Sequence, residues 1–192
     1  SLTELFAQIE PLSPLHEEIK RCVLGEDEIA DDASPALFKL RKSIRGMNDR
    51  IHAQLTNLMN NSTTRSYLQD AVITMRDGRY CLPVKADAKS NVPGMVHDQS
   101  GSGSTLFIEP MSVVNLNNEI KELADEELIE IEKILTDLSL LAAQSVEDIL
   151  YDMETLVALD FIFARAKFAR SYMGSQPIFN TEGMIDIKAG RH

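Results

Sequence analysis

From Met111 to Met173 the chain runs 63 residues without a glycine or a proline, and strong helix formers dominate that interval. Such a tract folds into one very long helix or two. At 1.5 Å per residue a single helix would exceed about 90 Å, so a break is expected near 142–146, where small and polar residues thin the apolar pattern. Ala124, Leu128, Ile131, Leu135, Leu138 and Ala142 form the expected core-facing stripe of the first half. Ile149, Met153, Leu156, Leu159 and Phe163 continue a stripe in the second. Glu122, Glu126 and Glu130 repeat at four-residue spacing, where like charges oppose one another weakly, and read as a solvated face.

A long helix needs a partner, and Ser34-Pro35 starts one, with a capping hydroxyl and a proline in the first turn. Leu37, Leu40, Ile44, Met47, Ile51 and Leu58 alternate spacings of three and four across 35–60, with Gln54 the one polar entry. Lys39, Arg41, Lys42, Arg45 and Arg50 occupy the opposite face, which is either solvated or turned toward the acidic return helix. Upstream, the apolar spacing over 1–24, interrupted by Pro11 and Pro14, predicts short helices, and 26–32 reads as an acidic loop.

Between these helical tracts the period changes. Asp77-Gly78 separates Val72-Ile73-Thr74-Met75 from Tyr80-Cys81-Leu82-Pro83-Val84, and Asp-Gly suits the positive φ angles of a tight hairpin. Pro93-Gly94 opens a third run at Met95-Val96, Ser100–Ser104 makes a Ser-Gly loop, and Thr105-Leu106-Phe107-Ile108 supplies a fourth run. The expectation is mainly α: a long antiparallel, coiled-coil-like helical lever carrying a small antiparallel β meander at its tip.

The formal charge of −11 argues against nucleic acid until its distribution is considered. Residues 116–160 hold 13 acidic and 2 basic side chains, whereas 63–115 hold five of each. The β region is therefore neutral, and Arg76, Arg79, Lys85 and Lys89 gather in it as a weak basic patch or a solvated hairpin end. Cys22 and Cys81 match no metal spacing and are expected to be buried thiols. No apolar run approaches the roughly 20 residues that span a bilayer.

Arg79-Tyr80, Leu82-Pro83-Val84-Lys85, Pro93-Gly94, His97-Asp98-Gln99-Ser100 and Thr105 to Pro110 resemble the clamp region of the MutS family. More narrowly, they resemble the bacterial branch whose full-length members end in a Smr nuclease domain. Leu159 to Ala166 and Gly190-Arg191-His192 resemble that family too, the latter at the entry to its ATPase domain. The resemblance implies a lever formed by 1–70 and 112–175, an inserted clamp at 71–111, and an extended lead-in at 176–192. It also implies a parent that is a cytoplasmic, homodimeric, DNA-binding ATPase linked to recombination control, mismatch-repair-like work and stalled-ribosome handling. ATP and magnesium would bind outside this chain, which starts with Ser and stops at a family motif, as an excised fragment would.

The residues themselves carry little chemistry. No GxxxxGK[ST] loop is present, since Ser100-Gly101-Ser102-Gly103-Ser104 lacks the lysine. His97 and Asp98 with nearby serines lie adjacent on one strand and loop, whereas triad members converge from separate elements. His16, His52, His97 and His192 share no metal spacing. No catalytic, cofactor or metal residue is assigned, and no membrane partner. Two functions of different class remain: a clamp that touches the DNA or RNA backbone through Arg76, Arg79, Lys85 and Lys89, or a helical-hairpin chaperone or scaffold.

Overall fold

Serine 34 accepts a hydrogen bond from the Leu37 amide at 3.0 Å and Pro35 occupies the first turn, so helix α3 (Pro35–Asn60) begins where its sequence signals place it. A computed structural model describes residues 1–187 of the 192. In chain order its elements are α1 (Leu2–Ala7), α2 (Ser13–Cys22), β1 (Val23–Gly25), β2 (Glu28–Ile29), α3, α4 (Ser62–Tyr67), β3 (Thr74–Arg76), β4 (Arg79–Lys85), a 3-10 helix (Ala86–Asn91), β5 (Gly94–Gln99), β6 (Thr105–Pro110), α5 (Val114–Gln144) and α6 (Val146–Ser171). The chain is mainly α. It divides into two compact units, residues 13–142 and residues 1–12 together with the chain from Ala143 on.

In the larger unit, one apolar cluster joins Ile51 and Leu55 of α3 to Leu116 and Ile120 of α5, beneath Leu82, Val84 and Ile108 of the sheet. A second joins Leu37, near the start of α3, to Ile131, Ile134 and Leu138, far along α5. The two helices therefore run antiparallel. Gln54 stays exposed, and Leu55 takes the inward position one residue later.

The outward rotation of α5 corrects the predicted stripe. Leu128 is 66% and Leu135 44% exposed, while Glu127 and Glu130 turn toward α3. Arg41 donates to Glu127 at 2.7 Å and to Asp31 at 2.6 Å, and the Ser34 hydroxyl donates to Glu130 at 2.7 Å. These polar pairs take up part of the interhelical face, so Ile131, Ile134 and Leu138 fill the rest. Arg41 thus meets acid, whereas Lys39 and Lys42 are solvated.

Two further corrections concern β structure. Val23–Gly25 and Glu28–Ile29 pair as an antiparallel hairpin across the stretch expected to be loop. The four-stranded sheet has the order β3-β4-β6-β5 and is not a meander. After β4 the 3-10 helix carries the chain past the central position, and β6 returns to fill it between β4 and β5. Burial explains the choice, because β6 brings Ile108 and Leu106 opposite Leu82 and Val84, whereas β5 is exposed along nearly its whole length. The Asp77-Gly78 turn forms as expected, with φ of 51° and 74°.

In the smaller unit α1 lies on α6, with the Phe6 and Phe163 rings 6.3 Å apart and the Glu10 amide donating to Asp152 at 3.0 Å. Thr155 and Leu159 are the residues α6 buries. Met153, Leu156 and Phe163 are exposed, contrary to their predicted core role, because α6 is apolar on several faces and one six-residue helix covers a single strip. Helix α5 ends at Gln144 and α6 starts at Val146, inside the window predicted for a break. From Gly174 to Ile187 no strand forms, and Ile178, Phe179, Ile185 and Ile187 are exposed. Gly190-Arg191-His192 lies outside the described residues.

Both cysteines are free and buried, as expected. Burial pushes the Cys81 thiol up to about 11 from 9.0. A raised folded value favours the fold below the unfolded pKa and loses that contribution as pH rises through the folded one. Stability is therefore expected to fall between pH 9.0 and about 11, with Cys81 alkylated only on unfolding; a mass-spectrometric labelling series across that range checks both.

Candidate nucleic-acid interface

The four cations singled out in the sequence do not form one patch. Arg76 and Arg79 face each other across the β3 and β4 hairpin, whereas Lys85 ends β4 six residues further on, roughly 20 Å away at strand rise. Lys89 follows on the 3-10 helix.

Arg79 is committed to the interior. Its Nε donates to Glu109 Oε2 and its Nη2 to Glu109 Oε1, both at 2.7 Å, and Nη2 also donates to Asn118 at 2.7 Å. The Glu109 side chain is fully buried and that of Arg79 is 17% exposed. Arg79 is therefore not the solvent-facing charge that hairpin composition suggests. Asn117 Nδ2 donates to the same carboxylate at 2.7 Å, and His97 Nε2 lies 2.6 Å from Oε2. An ionised carboxylate only accepts, so Nε2 carries the hydrogen. Burial pushes the Glu109 carboxyl up, but hydrogen bonds from Arg79, Asn117 and His97 outweigh it and hold the group below its ordinary value.

Local structure delivers each partner. The register of β5 on β6 slips between Val96 and Asp98, and this bulge turns His97 toward Glu109. Continuing the β4 and β6 register would set Tyr80 opposite Pro110, which has no N–H. Asn117 of α5 fills that gap, accepting from the Tyr80 amide at 3.1 Å and donating to its carbonyl at 3.3 Å. Gly94 permits the close approach of β5, since a Cβ there would sit 2.2 Å from the Glu109 carbonyl oxygen. The Glu109 cluster thus fastens β4, β5 and β6 to the first turns of α5.

The other cations lie outside it. Arg76 packs 3.8 Å over the Phe107 ring and pairs with Asp98 at 3.0 Å. Lys85 Nζ donates to the Ser66 carbonyl at 2.9 Å, and Lys89 is exposed with no side-chain hydrogen bond or ion pair among the described residues. The Ser-Gly loop is pinned by serine contacts, Ser102 to Ser104 at 2.8 Å, and by the Thr105 amide donating to Ser100 Oγ at 3.1 Å. Among the described residues no group of three or more His, Cys, Asp or Glu could hold a metal, and no helix is long and apolar enough to cross a membrane.

No protein-family profile matches the chain. Comparison with individual proteins is decisive. The chain is 70% identical over its whole length to a protein of Agathobacter rectalis named endonuclease MutS2, and 54% identical, again over its whole length, to the Lachnoclostridium phytofermentans protein of that name. The corresponding Alkaliphilus metalliredigens protein is 44% identical over 98% of the chain. This chain belongs to the MutS family. It spans 24% of the length of each of these relatives.

For this MutS-family chain, sequence reasoning missed Glu109, His97 and Asn117 as one unit. A signal existed in Thr105-Leu106-Phe107-Ile108-Glu109-Pro110, where a carboxylate inside an apolar strand calls for a buried cation.

Proposed function

We propose that the chain is a lever and clamp that meets the nucleic-acid backbone without reading bases. In this reading α3 and α5 form the antiparallel lever within 1–70 and 112–175, the sheet within 71–111 is the clamp, and 176–192 leads onward. The observation that carries it is the seating of the sheet: a buried carboxylate with three partners fixes it to α5, while Lys85 and Lys89 point outward without carboxylate partners. A rigid platform with a few unpaired cations suits a sequence-independent phosphate contact, which carries position and no base information. Arg79 belongs to the platform, and Arg76 is committed to Asp98 and the Phe107 ring.

The proposal gives this chain no turnover and no cofactor of its own. Endonuclease activity, named for the relatives, and the ATP and magnesium chemistry that the resemblance implies are proposed for other parts of longer proteins. So are a homodimeric parent, a cytoplasmic setting and work at recombination intermediates or on stalled ribosomes. DNA and RNA present the same phosphodiester chemistry to the clamp.

One observation favours a chaperone reading. Met75, Met95 and Met111 are 51%, 50% and 61% exposed around the sheet, and methionine suits adaptable apolar contact. Fluorescence anisotropy against labelled duplex DNA, duplex RNA and a denatured protein separates the two. The clamp reading expects weak binding of both duplexes, lost in Lys85→Glu/Lys89→Glu, and none of the denatured protein. Binding of the denatured protein alone would transfer the function to the methionine surface.

A further inference from the structure

We propose that Arg65 completes a phosphate-binding patch with Lys85 and Lys89, and that this patch, not the Arg76 and Arg79 hairpin, is the nucleic-acid contact; the inference rests on the clamp reading above. Arg65 lies in α4, a short helix that the sequence signals do not announce. Two backbone links and one side-chain link sew the end of α4 to β4. Leu68 bridges to Val84, the Gln69 amide donates to the Pro83 carbonyl at 2.9 Å, and Lys85 Nζ donates to the Ser66 carbonyl at 2.9 Å. Arg65 precedes Ser66 directly, so the third link sets its residue beside the Lys85 ammonium. On its other side α4 approaches the 3-10 helix that carries Lys89, with Thr64 and Asn91 lining one cleft.

All three cations are exposed, and among the described residues neither Arg65 nor Lys89 has a side-chain hydrogen bond or ion pair. Lys85 is bound by a neutral carbonyl, which orients the ammonium and leaves its charge uncancelled. The carboxylates close by in sequence are Asp70 and Asp87, so the patch keeps a small positive excess. Across the sheet the balance differs: Arg79 is neutralised by Glu109 and Arg76 by Asp98. A polyanion gains counterion release only from cations not already paired inside the protein. Three elements, α4, β4 and the 3-10 helix, each supply one such charge at the end of β4 remote from the Asp77-Gly78 turn.

The chain is titrated into fluorescein-labelled duplex DNA and, separately, duplex RNA of the same sequence, at fixed low salt. Arg65→Glu and Lys89→Glu are each expected to weaken binding to both duplexes, by about tenfold, and to lower the salt slope by about 1. Arg76→Glu is expected to change binding less than about twofold, and circular dichroism melts of the Arg65 and Lys89 variants should overlay the parent, because exposed, unpaired charges add little to folding. Neutral Arg65→Gln/Lys89→Gln guards against misfolding on charge reversal and should weaken binding as well. If Arg65 and Lys89 variants bind like the parent while Arg76→Glu does not, the patch is overturned and the clamp reading survives with its contact at the hairpin. If the parent binds neither duplex, both fall.

Discussion

Replacing Glu109 with Gln is expected to destabilise the larger unit by about 3 to 5 kcal/mol in urea unfolding followed by circular dichroism, the loss typical of breaking a buried ion pair from one side. The Arg79 guanidinium, 17% exposed, would be left without its anion, and His97 would lose the carboxylate 2.6 Å from its Nε2. Removing both charges together with Arg79→Met/Glu109→Leu should cost less than Glu109→Gln alone, because an apolar pair leaves no orphaned charge. The pH dependence follows from the depressed carboxyl. A folded value below the unfolded one gives stability that is present above the ordinary carboxylate range and is lost as pH falls through the folded value. The parent should therefore lose stability on acidification below about pH 4, near the unfolded carboxylate value, and Glu109→Gln should lose less over the same range. Equal acid sensitivity in both would remove Glu109 from the centre of the fold.

Ile51→Ala and Leu55→Ala should each cost about 2 to 5 kcal/mol, as large-to-small changes do at fully buried positions. Leu128→Ala and Leu135→Ala should cost less than about 1 kcal/mol, since both side chains already face solvent. The contrast tests the rotation of α5. Were Leu128 and Leu135 as sensitive as Leu55, the apolar stripe and not the Arg41, Glu127 and Glu130 contacts would face α3.

Features decided by local chemistry were legible in the sequence. Asp77-Gly78 announced its turn because few dipeptides accept two positive φ angles, and Ser34-Pro35 announced α3 because a cap and a first-turn proline act within a few residues. The break before α6 was legible from composition. Features decided by pairing were not. Four short apolar runs do not say which takes the middle of the sheet, and only burial of β6 between β4 and β5 settles it. Heptad spacing marked Leu128 and Leu135 as apolar but could not say that Glu127 and Glu130 would claim the face toward α3. The candidate interface was read from charge alone, which treats every arginine as free. Arg79 became structural because Glu109 lies 30 residues away on the neighbouring strand, and Arg65 escaped notice because nothing local links α4 to β4.

The dependence of binding on salt tests the central claim most directly. If Arg65, Lys85 and Lys89 meet backbone phosphates, affinity for duplex DNA is weak, and the slope of log affinity against log salt is about −2 to −3, from roughly 0.9 counterions released per contact. An affinity indifferent to salt, with denatured protein competing for the same surface, would contradict the account.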